Sequence, residues 1–186
     1  MYYAVKKKNL VFTTSVAYRA YVNKDVTKIT VFDSYEKLRK YMGHRYNPIN
    51  GIYVASSEGL EHNGYSVEAI NDTGICQLFG RIPKEYNSTH RLYALLKALL
   101  FIRDTFSNLP LYVTYDMYKF ITSSEETYTE SELKLMDYIS SNGLDVGVKF
   151  KIDKGFRYCP SVLASIGAKL GRDVIGGNVD GFREVV

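Results

Sequence analysis

The sequence predicts a small N-terminal α+β domain of order ββαβα, followed by an α/β domain built on a five-stranded mixed sheet. Three observations carry this reading. Strand-like runs with a period of two give way repeatedly to amphipathic runs with a helical period. Residues 1–46 hold ten Lys/Arg against three acids, a net +7, and the other 140 residues sum to −3, so the charge pattern breaks near residue 46. A long leucine-rich helical pattern separates a trio of strands from later ones. The chain has 186 residues, 46% of them hydrophobic, enough for a buried core. These features divide it into domains at 1–46 and 51–172, with a tail over 173–186 that carries several glycines.

The elements follow in order. Tyr2 to Val5 and Leu10 to Thr14 read as two strands around a basic turn, Lys6-Lys7-Lys8-Asn9. Ser15 is placed to cap a short helix carrying Val16, Ala20 and Val22. Ile29 to Phe32 reads as a third strand. Asp33 or Ser34 then caps a helix with Leu38, Tyr41 and Met42 on its apolar side, stopped by Gly43. Residues 44–50 form a short linker with Pro48.

The run from Ile52 to Ser57 opens the second domain as a buried strand. Gly64 to Ile70 and Gly74 to Arg81 continue a meander, turning at Asn71-Asp72-Thr73-Gly74. Pro83 to Asn87 reads as a loop. Ser88 or Thr89 caps a helix from Arg91 to Phe106, with Leu92, Leu95, Leu96, Leu99 and Ile102 on one face. Leu111 to Tyr115 is a strand ending at Asp116, which is placed to cap a short helix over Met117 to Thr122. Thr129-Glu130-Ser131-Glu132 is a capping box for a helix that Gly143 stops. Val146 to Ile152 is a last strand and Ser161 to Leu170 a last helix.

Several function classes drop out. His44, His62 and His90 are too scattered for a zinc motif. Cys76 and Cys159 read as packing residues of a reducing compartment. The glycines from Gly171 to Gly181 follow a helical pattern rather than precede one, so they form no phosphate loop. No apolar run reaches the roughly 18–20 residues that span a bilayer. The N-terminus opens in strand-like sequence without a signal-peptide layout, so the expectation is a soluble cytoplasmic protein with no membrane partner.

Two resemblances sharpen the reading. Tyr2-Tyr3-Ala4-Val5-Lys6-Lys7, Val11-Phe12-Thr13-Thr14, and Phe32 before an amphipathic helix resemble the hybrid-binding (viroplasmin-type) domain found ahead of many type 1 ribonucleases H. Ile52-Tyr53-Val54, Gly64-Tyr65, Arg91 at the opening of the long helix, Tyr115-Asp116 and Lys149-Phe150-Lys151 resemble a type 1 ribonuclease H domain in order and spacing. The first resemblance implies a grip on RNA/DNA hybrid or double-stranded RNA. Its contacts would be Tyr3 and Phe32. Separately, the +7 charge of residues 1–46 makes Lys6, Lys7 and Lys8 at the hairpin tip candidate phosphate partners. The tryptophan of that family's surface is replaced here by Ser15, and Phe32 has Thr30, Val31 and Asp33 as neighbours instead of lysines.

The second resemblance implies two-metal phosphodiester cleavage. That chemistry holds two divalent cations about 4 Å apart on carboxylates. The family's first-strand aspartate corresponds to Ala55, its helix glutamate to Tyr93 and its fourth-strand aspartate to Asp116. Its loop histidine falls near Asp153 and its last carboxylate near Leu163, in a stretch without any acid from Ser161 to Leu170. Asp116 alone keeps a carboxylate, too little for two Mg²⁺ ions. The expectation is therefore a catalytically inactive ribonuclease H-like protein that binds nucleic acid or a protein and takes no cofactor. One alternative is a Mg²⁺- or Mn²⁺-dependent nuclease using Asp116 with Glu58, Glu61 or Asp153. Another is a structural or inhibitory protein whose partner is a protein.

Overall fold

The computed structural model describes residues 1–5, 10–12, 30–43, 49–105, 108–123, 128–152, 168–169 and 172. Lys6, Lys7 and Lys8, the helix expected after Ser15, Asp153, Cys159, and the expected last helix apart from Ala168 and Lys169 lie outside those residues.

The described residues form an α+β fold with two sheets and four α-helices. Strands β1 (Tyr2–Val5), β2 (Leu10–Phe12) and β3 (Thr30–Phe32) make an antiparallel sheet of order β2-β1-β3. Helix α1 (Tyr35–Met42) follows; Ser34 caps it, accepting from the Lys37 amide, and Gly43 ends it at φ 73°. Of the two caps the sequence offers, Ser34 is the one used. Asp33 instead pairs with Lys37 at 2.8 Å.

The larger sheet has five strands of mixed direction. They are β4 (Gly51–Ser57), β5 (Gly64–Ile70), β6 (Ile75–Arg81), β7 (Leu111–Val113) and β8 (Phe150–Ile152), in the order β6-β5-β4-β7-β8. β4, β5 and β6 pair antiparallel, whereas β7 is parallel to both β4 and β8. The β5–β6 turn closes as its residues predict: the Asn71 side-chain oxygen accepts from the Thr73 and Gly74 amides at 2.9 Å each.

Helix α2 (His90–Thr105) supplies Leu92, Leu95, Leu99 and Ile102 to the main core, against Ile52, Val67, Leu111 and Val113 of the sheet. Helices α3 (Tyr115–Thr122) and α4 (Glu130–Ser141) add Met117, Leu135 and Ile139 to the same core. β5 is buried along its whole length, so both sheet faces are covered there. A second cluster joins the two sheets. Tyr2, Ala4 and Val11, with Tyr35, Leu38 and Met42 of α1, pack on Ile70 and Ile75 at the β5–β6 end.

Four boundaries differ from expectation. β7 stops at Val113, and Thr114, not Asp116, caps α3: its hydroxyl accepts from the Met117 amide at 3.2 Å. Tyr115 looked like a strand residue but is the first helical one, and it is exposed. The stretch after Pro83 is a 3₁₀ helix, Lys84–Thr89, that runs straight into α2. With no break between them, neither Ser88 nor Thr89 stands as a free cap. β8 is shorter than the apolar run suggests because Gly147 takes φ 74°, which a strand cannot contain. α4 agrees at both ends. Thr129 accepts from the Glu132 amide, and Gly143 and Leu144 donate back to Ser140 and Ile139 in a Schellman closure.

Candidate functional site

The side chains of most chemical interest collect where β4 ends and α2 begins. β4 leads into a loop over 58–63 that is fixed from three directions. Asn63 is buried; its side-chain oxygen accepts from the Gly59 amide at 3.2 Å, and its amide nitrogen donates to the Asn87 carbonyl at 3.2 Å. The Asn63 carbonyl also accepts from the Ile82 amide at 2.8 Å. Arg172 donates to the Glu58 carbonyl at 2.6 Å and to the Ser57 hydroxyl at 3.0 Å. Gly59 is required here: a Cβ would fall 2.6 Å from both the Arg172 side chain and the His62 carbonyl.

This bracing sets Glu58 against His90, the first residue of α2. His90 is only 8% exposed, and both ring nitrogens are engaged. Nδ1 lies 2.9 Å from Ser56 Oγ and Nε2 lies 2.5 Å from Glu58 Oε1. An ionised carboxylate can only accept, so in the neutral ring Nε2 carries the proton and Nδ1 accepts from the Ser56 hydroxyl. Scanning the sequence for zinc spacing passes over this group, because its members lie 32 and 34 positions apart and meet only through the fold.

His90 and Glu58 open onto a cavity of about 300 Å³. Asp116 and Glu132 also line it, over apolar Leu92, Met117 and Phe120. Asp116 sits in the first turn of α3, where the helix dipole favours a negative charge. Of the acids expected near Asp116, Glu58 shares its cavity, whereas Glu61 is exposed and lies outside the lining.

The carry-over positions do not form a metal centre. Ala55 lies half-buried beside Tyr53 and Tyr112, whose rings stack at 4.7 Å. Tyr93 stacks on Tyr86 at 4.9 Å and meets Tyr65 edge-on at 5.8 Å, with the Lys97 ammonium 5.7 Å from its ring centre. Neither residue offers a carboxylate oxygen, the donor that Mg²⁺ or Mn²⁺ requires. Among the described residues, no three His, Cys, Asp or Glu side chains converge closely enough to hold a metal ion. The donor set does not fit the ion pair that the ribonuclease H resemblance implies.

The predicted nucleic-acid contacts are separated as well. Tyr3 pairs with Val31 across β1 and β3, while Phe32 pairs with Tyr2. Side chains alternate across a strand, so Tyr3 and Phe32 occupy opposite faces of the small sheet. Phe32 packs on Tyr41 at 4.9 Å on the α1 side. Tyr3 shares its face with exposed Val31.

A group the sequence did not single out lies between the sheets. Glu68 on β5 is 1% exposed and sits directly opposite Gln77 on β6. Gln77 donates to the Val11 carbonyl at 3.3 Å, bridging to β2. Neither Glu68 oxygen has a hydrogen bond of standard geometry. Burial drives its carboxyl well above the usual range, and the nearby Gln77 amide opposes that shift only in part.

Comparison with protein-family models, curated proteins and solved structures finds no match to this chain. Among the described residues no helix is long and apolar enough to cross a membrane. Cys76 is buried.

Proposed function

We propose that the protein is a ribonuclease H-like factor, inactive as a nuclease, that binds nucleic acid, with a protein partner as the other outcome of the test. The observation that carries this reading is Tyr93. At the position where the resemblance calls for a metal-binding glutamate, an aromatic ring is built into a stack with Tyr86 and Tyr65. Such a ring is part of the packing and cannot be exchanged for an ion ligand without rebuilding it. The element order supports the same reading: a three-stranded meander, a long helix, then two parallel strands on the far side of β4. The +7 charge of residues 1–46 supports an anionic partner.

The test is a salt-dependent titration with RNA/DNA hybrid, RNA duplex and DNA duplex. Nucleic-acid binding requires affinity that falls steeply with salt and weakens in the triple variant Lys6→Ala, Lys7→Ala, Lys8→Ala. No binding to any of the three, with a stable protein complex recovered from cells, replaces it with the protein-partner reading.

One observation favours a second reading. Asp116 and Glu58 line a common cavity with Glu132 and His90. Among the described residues these side chains share the cavity without converging into a metal-holding group, so a displaced, metal-dependent nuclease site is the second reading only, for which Asp116→Asn is the decisive variant.

A further inference from the structure

We propose that Ser56, His90 and Glu58 form a nucleophile–base–orienter unit that makes Ser56 reactive toward small, uncharged carboxylic esters. The proposal does not rest on the nucleic-acid reading. It stands on the two contacts already described: Ser56 Oγ at 2.9 Å from one nitrogen of a buried histidine, and a carboxylate at 2.5 Å from the other. A serine, a base within hydrogen-bond reach and a third group that fixes the base's tautomer are the parts of nucleophilic acyl transfer.

The unit is built rather than incidental. Glu58 has a side chain 71% exposed, which on its own would be free to wander. Its backbone is held by Arg172, whose carbonyl in turn accepts from Arg81 at 3.1 Å. Asn63 then ties the same loop to the 3₁₀ helix that delivers His90.

Of the unit, His90 and Glu58 line the adjacent cavity and Ser56 does not, so the cavity limits which acyl group fits beside His90. Its volume of about 300 Å³ sits at the small end of ligand pockets. Leu92, Met117 and Phe120 suit a short acyl chain, and the carboxylates of Glu58, Asp116 and Glu132 outnumber the Arg91 guanidinium in the lining, which disfavours anions. In the reaction, Ser56 Oγ bonds to the ester carbonyl carbon as its proton passes to His90 Nδ1. The alkoxide leaves with that proton. Water, deprotonated by His90, then attacks the acyl-serine, releasing the carboxylic acid and restoring Ser56.

The full-length protein is treated with a fluorophosphonate, which bonds to an activated serine with loss of fluoride, and the adduct is located by peptide mass spectrometry. Hydrolysis of p-nitrophenyl acetate is followed in parallel. The expected result is one adduct, on Ser56, absent from Ser56→Ala. Glu58→Gln, on an exposed side chain that leaves the fold intact, is expected to slow labelling and acetate release by about tenfold or more. No adduct on Ser56 at excess probe overturns the proposal. So does a labelling rate unchanged in Glu58→Gln; the three residues would then serve only to pin α2 to β4.

Discussion

Glu68 faces Gln77 across β5 and β6, buried between the two sheets, and its carboxyl oxygens are without hydrogen bonds of standard geometry. A neutral carboxylic acid tolerates that position far better than a carboxylate does. The folded state therefore holds the proton to higher pH than the unfolded chain, whose value lies near the ordinary 4.5. Stability from this group is fully present below 4.5. It is lost as pH rises toward the folded-state value, by about 1.4 kcal/mol per pH unit. Glu68→Gln is expected to remove this loss, raising stability at pH 8 relative to the parent while leaving it nearly unchanged at pH 4. Urea denaturation at both pH values checks it. An equal effect at the two would point to packing instead of ionisation.

Asn63 is expected to matter more than its single buried amide suggests. Asn63→Ala leaves the Gly59 amide and the Asn87 carbonyl without that partner, at a cost of about 0.5–1.5 kcal/mol for each part-buried hydrogen bond lost. Thermal denaturation measures the loss. The 58–63 loop should also become more accessible to protease in this variant.

Because Leu38, Tyr2 and Val11 share a buried cluster with Ile70 and Ile75, the small sheet and the β5–β6 hairpin should unfold together. Leu38→Ala is expected to cost about 2–5 kcal/mol. It should lower the midpoint of one common transition, followed by hydrogen exchange in both β1 and β6. Exchange that accelerates in β1 alone would show that the two sheets are uncoupled.

The start of α3 separates two readings of one sequence. Thr114→Ala removes the cap on the Met117 amide and should cost about 1 kcal/mol. Asp116→Asn removes only a first-turn charge and should cost no more than roughly 0.3–1 kcal/mol, less at high salt. Melting the two variants at low and high salt compares them directly.

These cases also mark what the residues disclosed. The β4–β5–β6 meander was readable because Asn71 and Gly74 specify the turn between two strand-length runs. The capping box at Thr129 and the stop at Gly143 were readable because caps are local chemistry. Tyr112-Val113-Thr114-Tyr115 misled because all four residues favour strands, while Thr114 also makes a better cap than its neighbour. The short reach of β8 depends on the backbone sign at Gly147, which composition does not reveal. Ser56, His90 and Glu58 were invisible as a group, since only the meeting of the end of β4 with the start of α2 brings them together. Glu68 was likewise silent: one acid in an alternating strand looks solvent-facing until a second sheet covers it.

The most direct test of the central claim is cleavage of RNA/DNA hybrid by purified protein in Mn²⁺, scored together with binding for the parent and for Asp116→Asn. The expected result is hybrid bound and left intact by both. Cleavage by the parent that disappears in Asp116→Asn would contradict it and establish the cavity shared by Asp116 and Glu58 as a working nuclease site.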